Sequence, residues 1–170
     1  MTHVKKCKLD GVLAIQPPTV FEDFRGFYIE TYNEELYHSW GIKDKFIQDD
    51  ISVSDKGVLR GIHGDAETAK LVSCLAGKFY LVVINWDETS AQYRQWESFL
   101  LSEQNRTQIY IPPKFGNGHL VLSDRAIFHY KQTTYYNRSG QFTLQWNDPN
   151  LGLWWPNVNP IVSRRDGGFV

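Results

Sequence analysis

Long apolar runs are missing from this chain. None approaches the ~20 residues that a membrane-spanning helix needs, and the opening MTHVKKCKLDG lacks the apolar stretch of a signal peptide. An excess of charge of one sign is missing too. Eighteen Lys and Arg face 19 Asp and Glu, a formal net charge of −1, which argues against nucleic acid and against an anionic membrane as partners. Cysteine is scarce: Cys7 and Cys74 are the only two, and they make no metal-type cluster. Cys74 lies in the apolar run Leu71 to Ala76 and reads as a buried free thiol. These features predict a cytoplasmic protein. No repeat, low-complexity tract or linker interrupts the 170 residues, so one domain over 1–170 is expected, long enough to bury a core.

Aromatic residues, by contrast, are plentiful, with nine Tyr, ten Phe and six Trp. With β-branched residues and Gly/Pro punctuation they point to sheet rather than helix bundle. Strands are expected over Lys70–Ala76, Lys78–Trp86, Trp96–Leu101, Thr107–Ile111, Gly118–Leu122, Ala126–Tyr135 and Phe142–Trp146. Turn residues separate them at Gly77, Asp87–Ser90, Ser102–Asn105, Pro112–Gly116, Ser123–Asp124 and Asn137–Gly140. One short helix fits Asn33–Trp40, where Asn33 suits the cap and Glu34 and Glu35 the first turn. Many short, closely spaced strands favour an all-β fold, best a cupin-type jelly-roll barrel with short peripheral helices. In such a barrel alternate residues face the lumen, so distant side chains converge on one pocket.

Chemistry concentrates in Gly57-Val-Leu-Arg60-Gly-Ile-His63-Gly-Asp65, followed by Lys70. A histidine suits a general base, a lysine an oxyanion holder and an arginine a phosphate or carboxylate clamp. Together they suggest proton abstraction beside a carbonyl on a phosphorylated substrate. A structural histidine flanked by two surface cations fits the same stretch. A cupin also raises metal binding: His63, Glu67 and His119 supply three possible ligands, although Gly61 stands where a paired histidine is expected.

Further segments carry a resemblance. Phe21-Glu-Asp23-Phe-Arg25-Gly26-Phe-Tyr28-Ile-Glu30, Gln48-Asp-Asp-Ile-Ser52-Val-Ser54 and Gly57 to His63 are similar to motifs of the dTDP-4-dehydrorhamnose 3,5-epimerase family. So are Lys70-Leu-Val, Ile111-Pro112-Pro113, Tyr130-Lys131, Trp146-Asn147-Asp148-Pro149, Trp155-Pro156 and Ser163-Arg-Arg-Asp166, all in order from Phe21 to Asp166. The resemblance implies a dimeric jelly roll, without metal or other cofactor, that epimerises nucleotide-diphosphate-linked 4-keto sugars at C3, C5 or both. It implies His63 as base, Asp166 as the carboxylate orienting it, Lys70 facing the keto oxygen and Tyr130 as acid on the opposite face. Arg25 and Arg60 resemble diphosphate-binding arginines with Gln48 near them, Tyr136 an aromatic packing on the nucleotide, and Glu30 a residue near the base. Other readings persist for single residues: Tyr130 as a core aromatic, Asp166 as a surface charge, Arg25 as a solvated turn residue. A homodimer is implied as well, in keeping with the aromatic load of Phe21, Phe24, Phe27, Tyr28 and Tyr32.

The departures bear on substrate. The segment Gly64 to Ala69 is shorter than the family's, Asp50 stands where asparagine is common, and Gly116-Asn117-Gly118-His119 replaces the usual Ala-His-Gly-Phe. Asn117 and His119 thereby join the expected substrate-binding residues. His63-Gly64-Asp65 with Pro112-Pro113 and Gly116-Asn117-x-His119 resembles a branch acting on GDP-linked 4-keto-heptoses for capsule synthesis. A dTDP-4-keto-6-deoxyglucose 3,5- or 3-epimerase is the alternative substrate reading. A non-catalytic sugar-binding cupin and a metal-dependent cupin enzyme are the alternatives in other classes.

Overall fold

Short segments with period-two alternation, broken by Gly, Asn, Asp and Pro, can bury side chains only by stacking sheets face to face. A computed structural model describes residues 3–167 and shows this arrangement. Six strands form one antiparallel sheet. In spatial order they are β1 (Val4–Lys6), β2 (Leu13–Ile15), β10 (Gln108–Ile111), β7 (Lys70–Ala76), β12 (Arg125–Gln132) and β5 (Gln48–Asp55). Five form the second: β13 (Phe142–Thr143), β6 (Leu59–Gly64), β11 (Phe115–Val121), β8 (Lys78–Asn85) and β9 (Trp96–Ser102). A separate hairpin, β3 (Val20–Asp23) and β4 (Gly26–Ile29), lies against Arg106, which is 3.7 Å from Glu22 and 4.6 Å from the Phe27 ring centroid. Among the described residues no helix is long and apolar enough to cross a membrane.

The core between the sheets takes Val72, Cys74, Ile109 and Phe128 from the first and Phe79, Leu81, Val83, Leu101 and Val121 from the second. The opposite face of the second sheet is covered by the C-terminal segment, with Leu151 and Trp155 packed on Leu59, Ile62, Val82, Ile84 and Leu120. Trp155 Nε1 donates to Trp146 O at 2.8 Å, which satisfies the indole inside this layer. The helix α1 (Glu34–Ser39) packs Tyr37 beside Ile15 and Leu71. Asn33 caps it, accepting from Leu36 N at 3.1 Å.

Boundaries differ from the sequence reading by more than one residue in three places, and strands β1 to β6 are additional to those expected. Phe115 and Gly116, expected in a turn, extend β11 because they pair with Asn85 and Ile84. Strand β12 stops at Gln132, where its pairing with β5 and β7 runs out. The segment after Phe142 keeps only two strand residues before turning to cover the second sheet. Cys74 is a buried free thiol, as read from its apolar run. Tyr32 is not an exposed aromatic: it packs edge-on against Tyr37 and Phe46 at 4.9 and 5.4 Å.

One irregularity positions the site. On β11, Asn117 faces His63 and His119 faces Arg60, so three residue steps on β6 oppose two on β11. Such a bulge re-aims side chains, and both Arg60 and His63 line the same cavity although strict alternation would put them on opposite faces. Gly61 lies in this bulge at φ +114°, and a Cβ there would come within 2.6 Å of Gly118 Cα and 2.7 Å of Asn117 O. Gly61→Ala should therefore cost about 2–4 kcal/mol, from forced backbone and overpacking together. Urea unfolding with an unchanged m-value would measure it, and wild-type stability would refute this account of the bulge.

Candidate active site

Because inward-facing residues of both sheets point into one lumen, a polar patch at its open end becomes a cavity. Its volume is about 460 Å³, and its walls include Gln48, Asp50, Arg60, His63, Lys70, Asn117, His119, Tyr130, Tyr136 and Asp166. Nine of the eleven residues expected from the sequence thus meet here. Arg25 and Glu30 do not. Arg25 is exposed near the tip of the β3–β4 hairpin, where its guanidinium binds Asp23 at 2.6 Å, and Glu30 follows the same hairpin. Within a single chain Arg25 is a solvated turn residue.

His63 comes from β6 of the second sheet. Its Nε2 lies 2.8 Å from Asp166 Oδ1, and Asp166 Oδ2 accepts from Gly61 N at 3.2 Å. Asp166 is only 4% exposed, which rules out a surface charge. Burial alone would raise its carboxyl; the hydrogen bond and charge of His63, with the Gly61 N–H and the Ser163 side chain, outweigh that and hold it below the usual carboxylate range. A carboxylate on Nε2–H fixes the tautomer and leaves Nδ1 as the basic nitrogen. Thr143 Oγ1 lies 3.2 Å from Nδ1, long for an O–H···N bond, and itself accepts from Arg165 at 2.9 and 3.1 Å.

Lys70 begins β7 on the facing sheet and is buried. Burial pushes its ammonium down to about 8, with Asp65 pulling the other way. Its Nζ donates to Asn117 Oδ1 at 3.0 Å and lies 5.8 Å from the Tyr130 ring centroid. Tyr130, on β12, packs on the core and also lines the cavity, so it is more than a core aromatic. Burial, and then the charge of Asp50 opposite it across the β5–β12 pair, raise its phenol well above the ordinary tyrosine value. Gln48 ties this wall together, donating to Asp50 Oδ2 at 2.8 Å and accepting from Tyr136 N at 2.9 Å. Arg60 donates through Nε to Ser54 Oγ at 2.9 Å and stands exposed at the rim.

The three-ligand metal alternative is not assembled. Asp65 Oδ1 accepts from Glu67 N and Thr68 N at 2.9 and 2.7 Å, a turn that leaves Glu67 exposed in a neighbouring depression. His119 is buried, stacked on Phe128 at 4.0 Å, with its imidazole pushed down to about 3 by burial and then by Arg60. Gly61 lacks a side chain because β11 backbone fills that space. The sequence reading missed Arg165, Gln141 and Ser163 in the cavity, and Thr143 against His63. The sequence signal for two of them is Ser163-Arg164-Arg165-Asp166, which sets a hydroxyl and a second cation beside the expected aspartate.

Known proteins match this chain over nearly its whole length. The family profile of dTDP-4-dehydrorhamnose 3,5-epimerase matches residues 6–169. The enzyme of that name from Methanothermobacter thermautotrophicus is 38% identical over 166 residues, covering 95% of this chain and 89% of its own. The one from Salmonella typhimurium is 39% identical over 171 residues, covering 98% and 93%. The crystal structure of the Legionella pneumophila dTDP-6-deoxy-D-glucose-3,5-epimerase, in complex with dTDP-4-keto-L-rhamnose, superposes with a TM-score of 0.92 at 36% identity, covering 97% of this chain and 89% of that one. The jelly-roll cupin architecture, the motifs and the length of these matches place this chain in the dTDP-4-dehydrorhamnose 3,5-epimerase family of isomerases.

Proposed function

We propose that this protein, acting as one domain, epimerises a nucleotide-diphosphate-linked 4-keto sugar with His63 as base and Tyr130 as acid. The observation that carries the reading is their placement on opposite sheets across one cavity, with Lys70 between them in sequence and in contact with the same lumen. A 4-keto group acidifies the C–H bonds at C3 and C5. His63 Nδ1 takes such a proton, the C–H electron pair forms the enolate C=C bond, and the carbonyl pair moves to oxygen. Lys70, a desolvated cation, is worth most against that oxyanion. The enolate then collapses, its carbon taking the Tyr130 phenolic proton from the other face, and the centre inverts. Asp166 steadies the imidazolium formed on His63. Arg60 at the rim suits the diphosphate, with Arg165 beside it, and exposed Tyr136 offers a face to the base.

For the substrate, the relatives named above favour a dTDP-linked 4-keto-6-deoxyhexose. A second reading, a GDP-linked 4-keto-heptose for capsule or other surface polysaccharide, draws support from Asn117 on Lys70 where the family has histidine and from the short Gly64–Ala69 segment. The two unpaired cysteines suit a cytoplasmic enzyme. A homodimer is part of the same reading: Phe21, Phe24, Phe27 and Tyr28 of the hairpin, with Ile51 and Val53 on β5, are all exposed. Pairing through this hairpin is also the arrangement that would carry Arg25 and Glu30 to a partner's cavity.

Screening dTDP- and GDP-linked 4-keto sugars in deuterated water, with NMR at each carbon, tests the reaction and the substrate together. His63→Asn should lower exchange at both C3 and C5 by ~100- to 10,000-fold. Tyr130→Phe should keep exchange and lose inversion, since the base and oxyanion holder remain while the opposite-face proton is gone. Near-normal exchange in folded His63→Asn would reject the base, and full inversion by Tyr130→Phe would remove the tyrosine from the reaction.

The Lys70 ammonium gives a pH signature. Its folded value, about 8, lies below the ordinary lysine value, so the cation is lost as pH rises through about 8. Catalytic efficiency kcat/KM should fall on that limb; a plateau to pH 10 would show that the charge on Lys70 is not needed.

Light scattering at micromolar concentration should give the mass of a dimer, and Phe24→Asp should shift it toward the monomer. A monomeric wild type would overturn the quaternary assignment.

A further inference from the structure

Asn117 stands between the base and the cation of the cavity. On β11 it pairs with His63 of β6, and residues directly opposite on paired strands project to the same face. Both line the cavity. From the facing sheet, the Lys70 ammonium donates to Asn117 Oδ1 at 3.0 Å. An ammonium has donors and no acceptor, so this contact fixes which end of the amide is oxygen. The other end, Nδ2, makes no hydrogen bond among the described residues. It is not sealed in either, since the enclosed unpaired polar atoms there include His119 Nε2 and Gln132 Nε2 but not Asn117 Nδ2. Strand β11 is flanked by β6 and β8, and the C-terminal segment covers the outer face of this sheet. The access left to Nδ2 is therefore from the lumen.

One amide thus sets two donors side by side, the Lys70 ammonium that it holds and its own N–H. A single oxygen can lie within ~2.7–3.1 Å of both, the span that an oxyanion site needs. A proton removed at C3 or C5 comes from a carbon bonded to C4, so base and oxyanion donors must be neighbours, as His63 and Asn117 are. Negative charge builds on the C4 oxygen only as the enolate forms, and a donor fixed there beforehand acts most in the transition state. A neutral donor also adds to Lys70 without the repulsion that a second cation would bring. We infer that Asn117 is a catalytic residue of a two-donor oxyanion site, its Oδ1 holding the Lys70 ammonium and its Nδ2–H donating to the same C4 oxygen. This rests on the 4-keto epimerase reading and deepens it by assigning the second donor.

The test uses whichever dTDP- or GDP-linked 4-keto sugar wild type exchanges with deuterated water. Asn117→Leu keeps the branched shape and removes both polar ends. The kcat for exchange at C3 and C5 should fall ~100- to 1,000-fold, and at every pH below the Lys70 limb. The dissociation constant for the matching nucleoside diphosphate, dTDP or GDP, should stay within ~2-fold of wild type. A Lys70→Met background separates the two ends of the amide, because no ammonium remains to be held. There, adding Asn117→Leu should lower exchange by a further ~10-fold or more. A loss in the single variant with none in that background would show that Asn117 acts only through Lys70, and would overturn the donor assignment. Near-normal exchange in the single variant would overturn both roles. Where Asn117→Leu no longer binds the nucleoside diphosphate, the smaller Asn117→Ala replaces it under the same criteria. A wild type that exchanges neither carbon of any of these sugars would instead remove the epimerase reading, and the inference with it.

Discussion

Asp166 joins two parts of the fold that are far apart in sequence. One carboxylate oxygen lies against His63 Nε2 and the other takes the Gly61 N–H inside the β6 bulge. The C-terminal segment is thereby fastened to the strand whose irregularity aims Arg60 and His63 into the lumen. The same two contacts keep a buried carboxylate ionised, which burial alone would oppose. Without the carboxylate, the bulge would lose a backbone partner and the imidazole its fixed tautomer. Fold and site depend on one side chain.

Lys70 presents the opposite electrostatic problem. Its ammonium is buried with a neutral amide, Asn117, as hydrogen-bond partner, and Asp65 exerts only a partial counter-charge. A buried carboxylate in contact would neutralise the cation and dull it toward an incoming negative oxygen. An amide orients the cation without cancelling it, so the site carries unspent positive potential near the place proposed for the enolate oxygen. Burial lowers its proton affinity, and an oxyanion formed nearby would raise it again.

How much of this was legible depends on what each element owes to local pattern. Strands β7 to β10 followed from alternation and turn residues, and α1 from the Asn33 cap with two following glutamates. The joint presence of Arg60 and His63 in the cavity did not follow from alternation, because residues three apart on a regular strand face opposite ways. Residue chemistry and the motif resemblance put both there without a structural reason; the bulge around Gly61 is its physical cause, and a lone glycine does not announce one. Asp166 was legible as part of a motif, whereas Thr143 and Arg165 were not: their role arises from β13 crossing beside β6, a contact of long sequence separation. Arg25 and Glu30 show the converse. Their motif was clear, yet the hairpin that bears them is remote from the cavity of its own chain.

The placement of groups on two sheets limits what this cavity can do with a proton. A base and an acid on the same sheet would serve one face of a sugar ring, and proton return would restore the starting configuration. His63 stands on β6 and Tyr130 on β12, strands of facing sheets. On the proposed reading, each therefore addresses a different face. With Tyr130 in that proposed role, Asp50 would make the two halves of the reaction unequal. Its charge, after burial, strengthens the hold of the Tyr130 phenol on its proton, which keeps the acid loaded but penalises the tyrosinate left after donation. Asparagine, the residue that the motif resemblance leads one to expect here, would impose no such charge. With Tyr130 as the proposed acid, proton return, more than proton removal, is the step on which Asp50 bears hardest.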